Sequence, residues 1–588
     1  MILENINTPQ DLKKLSIDNL NQLADEMREC IIKKVNTTGG HMGPNLGILE
    51  TTIAMHYVFN SPIDKIIFDV SHQCYPHKIL TGRKDGFTTP ENYLKYTGYT
   101  APQESEHDLF TIGHTSTSIS LATGIAKARD IKGEKYNVIA LIGDGSLTGG
   151  EALEGLNNSA VLNSNFIIIV NDNDMSIAEN QGGIYKNLRQ LRETKGQTQN
   201  NFFTTMGFEY YYVENGNNIN DLIEAFSAVK DTNKPTIVHI NTLKGHGLQA
   251  AEENKEIFHW VSPNILETYK QQNTNKPETF DSITTDFILK KAKKDKTLVA
   301  ITPATPGACG FNKNFREELG TQYVDVGIAE EHAIAFASGL AKNGAKPILA
   351  ILSSFVQRTY DQISQDLCLN KSPITMLIYW GGLSGADCTH LGSFDMAMLG
   401  NIPNLVYLAP TNKEEYLAML EWSLEQTEHP VAIRVPFIPL VSSGIEDSTN
   451  YSELNKYQLN NDGEKIALIG LGNFYHKASR IQKILKTEYN INASLINPKF
   501  ITGIDEELLT KLKEKHKLII TLEDGCLNGG FGEKISRFYG NSEIKVLNYG
   551  GLKEFTDRVN IQELNQRYRL TPELIISDAM KILHSTEK

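Results

Sequence analysis

No apolar run of about 18 residues, the length a helix needs to cross a bilayer, occurs anywhere in this chain. That argues against a membrane-spanning segment. Cysteine is sparse: the six residues Cys30, Cys74, Cys309, Cys368, Cys388 and Cys526 are scattered, and no C-x-x-C pair occurs. Such spacing speaks against a disulfide frame or a cysteine zinc site and fits reduced thiols in a cytoplasm. Positive charge is also short, with 57 Lys and Arg against 70 Asp and Glu, a net charge of −13. Nucleic acid or an anionic membrane would be repelled, which leaves room only for a local basic pocket that takes a small anion. The opening residues MILENINTPQ lack a basic segment followed by an apolar one, which predicts no signal peptide. Tandem repeats and low-complexity tracts are missing too.

What the chain does have is an alternation of strand and helix. With 588 residues it is too long for one core. Runs rich in Val, Ile and Leu, among them YNVIALIG, NFIIIVND, KPTIVHIN, KPILAILS, ITMLIYW, KIALIGLG and KLIITLED, are separated by amphipathic stretches of helical length. Near-continuous apolar strands between helices predict an α/β fold with parallel, helix-covered sheets. Two polar stretches interrupt the pattern, at 267–282 and 443–465. Read as linkers, they predict three domains over 1–266, 283–442 and 466–588.

The clearest chemistry lies where one strand ends at Gly143-Asp144-Gly145 and the next at Asn171-Asp172-Asn173. In a right-handed β-α-β unit both strand ends reach the same sheet edge, where open α/β sheets bind ligands. Asp144 and the Asn173 amide oxygen then offer hard oxygen donors suited to Mg2+, which accompanies phosphates. The glycines let a phosphate approach backbone N–H groups at a helix start. A bare G-D-G also describes a tight strand-to-helix turn; the second strand, ending in N-D-N, favours the ligand reading. In IGLGNFY (469–475), by contrast, Tyr475 stands where a dinucleotide fingerprint needs its third glycine. That segment reads as an ordinary turn.

The G-D-G with a later N resembles the thiamine-diphosphate motif of the transketolase superfamily. DVSHQCYPHKILTGR (69–83), GHTSTSIS (113–120), GIAEEHAIAFASGLA (327–341), SSFVQRTYDQ (353–362) and GADCTH (385–390) are similar to 1-deoxy-D-xylulose-5-phosphate synthases in particular. The resemblance runs over essentially the whole chain. It implies a transketolase-like fold with a diphosphate-binding, a pyrimidine-binding and a C-terminal domain. It also implies thiamine diphosphate and Mg2+ as cofactors and, by analogy, a homodimer and a place in isoprene biosynthesis.

Carried over residue by residue, the resemblance makes Asp144, Asn173 and the Met175 carbonyl the metal ligands. Gly113, His114, Thr115, Gly145 and Ser146 would line the diphosphate and thiazolium, with Leu248 where the family has a tyrosine near the cofactor. Glu330 would hydrogen-bond the aminopyrimidine, a task that calls for a raised carboxyl pKa. An isolated glutamate there would instead be explained by the helix dipole. Phe355 would stack on the pyrimidine with Arg358 nearby. His41, His72, His114, His259 and His390 fall on family positions, as does Asp387. Imidazoles can shuttle protons near neutral pH, so His41, His72, His259, Asp387 and His390 are expected to act on substrate, His72 also on the cofactor. Zinc is the other reading of so many histidines, but no H-E-x-x-H spacing supports it. The implied reaction is decarboxylation of pyruvate and transfer of its two-carbon unit to the aldehyde of glyceraldehyde 3-phosphate.

The acceptor side departs from the pattern. The family's D-R-A-G-x-x-G-A-D-G-x-T-H is here YWGGLSGADCTH (379–390), with Trp380 in the place of a phosphate-gripping arginine and one residue fewer between Asp387 and His390. The family's R-Y-P-R-G becomes Arg434-Val435-Pro436-Phe437, and a family tyrosine becomes Leu352. A charge-assisted hydrogen bond is worth roughly 1.5–3 kcal/mol. Losing two arginines should therefore weaken an anionic acceptor and suit a neutral aldehyde, unless Arg434, Arg358 or Lys244 has taken over the phosphate. Two other readings stay open: a transketolase with a ketose donor, and a non-catalytic thiamine-diphosphate-binding homologue.

Overall fold

A computed structural model describes residues 1–271 and 277–586. Residues 272–276, inside the stretch expected as a linker, and 587–588, at the end of the expected third domain, lie outside the described residues. The chain divides into two compact units, 1–275 with 327–329, and 276–326 with 330–588.

The first unit carries β1 (Gly40–His41), β2 (Lys65–Phe68), β3 (Val138–Gly143), β4 (Phe166–Asp172), β5 (Glu209–Val213), β6 (Pro235–Asn241) and β7 (Trp260–Val261). Five of them form a wholly parallel sheet in the order β2-β3-β4-β6-β5, while β1 and β7 pair as a small antiparallel ribbon. Along these strands alternate residues enter different cores. Ile139, Leu141, Ile167, Ile169 and Val238 face one, and Val138, Ala140, Ile142, Ile168, Val170 and Ile237 the other. Burial of both faces is why the strands read as unbroken apolar runs.

The second unit carries two sheets. The strands β8 (Leu298–Thr302), β9 (Tyr323–Asp325), β10 (Lys346–Leu352), β11 (Thr375–Gly381), β12 (Val406–Leu408) and β13 (Val431–Pro436) run parallel in the order β12-β13-β11-β10-β8-β9. The strands β14 (Gln458–Asn461), β15 (Lys465–Gly470), β16 (Ser494–Asn497), β17 (His516–Cys526) and β18 (Lys545–Gly551) follow in the order β14-β16-β15-β17-β18. Only β14 is antiparallel there. One core joins both sheets, with Ile301, Ile351 and Ile378 meeting Ile469, Ile496 and Ile519.

The seven runs singled out in the sequence form β3, β4, β6, β10, β11, β15 and β17. The apolar runs singled out did not include the edge strands β5 and β14, which need not be apolar on both faces, nor β2, β8, β12, β13, β16 and β18, of which β8, β13 and β16 are interior. The stretch 443–465 is pinned as well as connecting: Tyr451 is buried in it, and the buried Lys499 ammonium donates to Asp447 (3.0 Å) and Thr449 (2.5 Å). Among the described residues no helix is long and apolar enough to cross a membrane.

Candidate active site

In the first unit, β3 and β4 pair in parallel register with Gly143 opposite Asn171, so Asp144 and Asn173 leave the sheet at one edge. The buried Asp144 carboxylate accepts from the Met175 backbone N–H (3.1 Å) and the Asn180 side-chain amide (2.6 Å). Tyr185 donates its hydroxyl to the Asp144 and Gly145 carbonyls, at 3.1 and 3.2 Å. Within N-D-N the side chains differ. Asn171 is held by the Thr242 hydroxyl (2.6 Å), and Asp172 is fully buried and paired. The buried Asn173 Oδ1, like Asn180 Oδ1, has no protein partner. Burial and, after it, the nearby Asp172 charge push the Asp144 pKa up to about 7. A divalent cation would reverse that logic. A carboxylate short of positive charge beside an amide oxygen short of a partner fits Mg2+ and its oxygen chemistry.

The glycines here serve the fold as much as any ligand. A Cβ on Gly145 would come within 2.8 Å of the Ser176 hydroxyl, and one on Gly149 within 2.1 Å of Ser116 Oγ. Ser146 is buried at the same turn, and its carbonyl accepts from Ser116 Oγ (2.9 Å). Gly113 is buried and His114 and Thr115 are half-buried in the loop before the helix Ser118–Lys132. The buried Asp69 carboxylate accepts from the Ser116 and Ser118 N–H groups (2.8 and 3.0 Å), and Ser71 Oγ donates to the Ile112 carbonyl (2.7 Å). That clasp holds Val70 and Ser71 at φ 57° and 65°, left-handed angles that a β-branched residue adopts only when its surroundings impose them.

The clasp leads directly into His72. The His41 and His72 rings lie 4.8 Å apart, His72 and His259 5.3 Å, and His41 and His259 5.7 Å. The Lys244 ammonium sits 3.0 Å from His259 Nδ1 and donates to the Ser176 carbonyl. Burial lowers the Lys244 pKa to about 7, and burial together with Lys244 puts His259 well below the usual histidine range. Three of the predicted histidines therefore gather. Leu248 is placed otherwise: it packs against the apolar core of Met27, Ile31 and Leu46.

In the second unit, Glu330 opens the helix Glu330–Lys342. It is only 3% exposed, and burial raises its pKa against the opposing charge of Arg358. Arg358 Nη1 lies 3.5 Å from its Oε2, which has no hydrogen-bond partner. Glu331 beside it is half-buried. A buried carboxyl whose pKa stays raised although a guanidinium faces it suits a shared proton on a ring nitrogen. The Phe355 and His390 rings meet at 5.7 Å, and His390 Nδ1 lies 3.3 Å from Asp387 Oδ1. Although burial pushes the other way, His390 and then Thr389 hold the Asp387 pKa down at about 2.

The acceptor residues separate. Leu352 is buried in the core of its sheet with Leu377 and Ile433, so its place is a packing one. Arg434 is buried too: Nε and Nη2 donate to Asp395 (2.7 and 3.0 Å), Nη1 to Asp524, and Tyr407 donates to Asp395 as well. Trp380 occupies an irregular point in the β11–β13 pairing at φ 60°, 39% exposed, with its ring 5.3 Å from that of Phe437, itself 73% exposed. A Cβ on Gly392 would fall 2.0 Å from the Trp380 carbonyl, and Gly382 N–H donates to the Gly392 carbonyl (2.8 Å). Gly392, two residues past YWGGLSGADCTH, thus lets the two backbone segments come together, while Cβ atoms on Gly381 and Gly382 would meet the Arg434 and Asp524 side chains.

Sequence reading passed over Asp69, Asn180 and Tyr185, and also Asp395 and Asp524. Asp69 lies inside a motif block already singled out. The others stand in no spacing that announces a partner, because their contacts are made only by folding.

The family described as 1-deoxy-D-xylulose-5-phosphate synthase matches residues 3–201 and 192–242, the transketolase pyrimidine binding domain 279–437, and the transketolase C-terminal domain 455–575. A 1-deoxy-D-xylulose-5-phosphate synthase of Caldanaerobacter subterraneus is 39% identical, covering 98% of this chain and 98% of its own. Those of Clostridium tetani (97% and 98% covered) and Dictyoglomus thermophilum (100% of both) are each 38% identical. A solved transketolase variant from Pichia stipitis aligns over 96% of this chain and 97% of its own at 16% identity, with a TM-score of 0.45. The chain belongs to the 1-deoxy-D-xylulose-5-phosphate synthase family of thiamine-diphosphate- and Mg2+-dependent transferases.

Proposed function

We propose that this protein decarboxylates pyruvate and joins the two-carbon unit to an aldehyde, as its membership of the 1-deoxy-D-xylulose-5-phosphate synthase family implies. Bound thiamine diphosphate would supply the electron sink for that decarboxylation. Asp144, Asn173 and the Met175 carbonyl would hold Mg2+. Gly113, His114, Thr115, Gly145 and Ser146 would stand along the diphosphate and thiazolium. Glu330 would hold a proton against the aminopyrimidine, and Phe355 would cover that ring. His41, His72 and His259 would orient the substrate carboxylate or move protons, as would His390 with Asp387. The observation that carries the reading is Glu330: a buried carboxyl with a raised pKa and one oxygen left without a hydrogen-bond partner.

The test is CO2 release from pyruvate by the protein loaded with thiamine diphosphate and Mg2+, compared with Glu330→Gln. Equal release by both would overturn the reading and favour a binding role. Failure with pyruvate alongside turnover of a ketose phosphate would favour a transketolase. A cytoplasmic homodimer goes with the family reading, and sedimentation of the purified chain tests its dimeric part.

A second reading concerns the acceptor. The relatives are named for a phosphorylated product, which supports glyceraldehyde 3-phosphate and lends nothing to another acceptor. The local residues favour an unphosphorylated aldehyde. Arg434 is saturated by two buried carboxylates, Arg358 faces Glu330, Lys244 is buried against His259, and Trp380 and Phe437 offer aromatic surface in place of two arginines. A panel of phosphorylated and unphosphorylated aldehydes decides it. Saturable use of glyceraldehyde 3-phosphate at micromolar concentration would sink this second reading and leave the first intact.

A further inference from the structure

The turn that carries Asn173 and Met175 does not hold itself. Asp172 and Asp174 flank Asn173, and one guanidinium grips both. Arg192 Nη1 donates to Asp172 Oδ1 and Oδ2 at 2.7 and 2.6 Å, while Nη2 lies 2.7 Å from Asp174 Oδ1. Asp172 is further fixed by His239 Nε2 at 2.9 Å, and the other ring nitrogen of His239 meets the Tyr210 hydroxyl at 2.8 Å. The Asp174 N–H returns to Asp172 Oδ1 (3.1 Å), which closes a tight turn with Asp174 at φ 57°. Asp172 and His239 are fully buried, and the Arg192 side chain is 14% exposed.

This is more than a buried ion pair needs to be. Arg192 stands in the last turn of the helix Ile184–Glu193, at the end of the same segment that sends Asn180 and Tyr185 back to Asp144. The stretch from 173 to 192 therefore leaves β4, delivers Met175 N–H and Asn180 to the Asp144 carboxylate, and is clamped at its return onto the residues on either side of Asn173. In that turn Asn173 is the side chain left with an unpartnered buried oxygen.

We propose that Arg192 is a positioning residue for the metal: through Asp172 and Asp174 it fixes the backbone that presents Asn173 and Met175. The inference rests on the reading of Asp144 and Asn173 as Mg2+ ligands. Groups that orient metal ligands typically contribute 10–100-fold to metal affinity. A clamp reaching both carboxylates should fall within that range.

The experiment measures Mg2+-dependent binding of thiamine diphosphate to the full chain by titration calorimetry, together with the melting temperature of the metal-free protein. Arg192→Gln is expected to raise the apparent Kd for Mg2+ about 10–100-fold while binding at saturating Mg2+ is recovered. Arg192→Lys, which cannot reach both carboxylates with one planar fork, should fall between it and the wild type. If Arg192→Gln does not fold, Asp174→Asn at the exposed end of the clamp gives the same readout, with a smaller rise in Kd expected. A lowered melting temperature with unchanged Mg2+ affinity would make the network purely structural and overturn the proposal. Asn173→Ala separates the two levels: unchanged Mg2+ affinity in that variant overturns the ligand reading itself. Loss of affinity there with none in Arg192→Gln overturns the positioning role alone.

Discussion

The N-D-N turn of the first unit and the Trp380–Arg434 region of the second both place buried polar groups near the ends of parallel strands, yet they close differently. Around Asp144 the network is incomplete, since the Asn173 oxygen has no partner, and burial and then the nearby Asp172 charge push the carboxyl up to about 7. Around Arg434 the network is complete, with two carboxylates sharing one guanidinium and Tyr407 donating to Asp395. A buried polar group without a partner costs free energy, so one retained in an otherwise satisfied network points to a missing ligand. A saturated group of the same chemistry points to architecture. By that measure Glu330 belongs with Asp144, and Arg434 does not.

Glu330→Gln puts the largest effect on this contrast. It should lower CO2 release from pyruvate by about a hundred- to ten-thousand-fold, the usual range for a group that manages a proton, while thiamine diphosphate still binds. A variant that keeps most of its turnover would break the link between an incompletely hydrogen-bonded buried carboxyl and function. Arg434→Met strands two buried carboxylates and should destabilise the fold by about 3–5 kcal/mol in urea unfolding. If stability holds and only the acceptor KM rises, Arg434 belongs to the substrate after all. Restoring arginine at Trp380 and Phe437 together should tighten a phosphorylated acceptor about ten- to a hundredfold, at roughly 1.5–3 kcal/mol for each charge-assisted contact less the cost of ordering two exposed side chains. The measurement is kcat/KM for glyceraldehyde 3-phosphate against its unphosphorylated analogue.

The smallest effect concerns Asp387. Its carboxyl is held at about 2 against an ordinary 3.8, so its stabilisation is present above pH 3.8 and is lost as pH falls toward 2. Asp387→Asn should flatten the acid limb of the stability curve in that window by up to about 2 kcal/mol.

Much of the architecture was legible in the chain because parallel strands covered on both faces must be apolar at consecutive positions. β3, β4, β6, β10, β11, β15 and β17 announced themselves in that way, whereas β5 and β14 lie at edges and carried no such mark. That Asp144 and Asn173 leave the sheet at one edge was legible through a topological rule, since parallel strand ends share an edge. Leu352 and Leu248 were read as pocket positions by resemblance alone, and the fold places both against apolar cores.

By itself the sequence determined the α/β class and the family motifs, because each depends on residue type and local spacing; the oxygen-donor pair is proposed from it, and the replacement of arginine at 380 and 437 only from the resemblance. Only the tertiary structure decided which polar groups were already satisfied. Arg434 looked available until Asp395 and Asp524 arrived from distant segments, and Asp172 looked like a ligand's neighbour until Arg192 and His239 closed on it. Hydrogen-bond saturation is a property of three-dimensional neighbours, and no spacing along the chain encodes it.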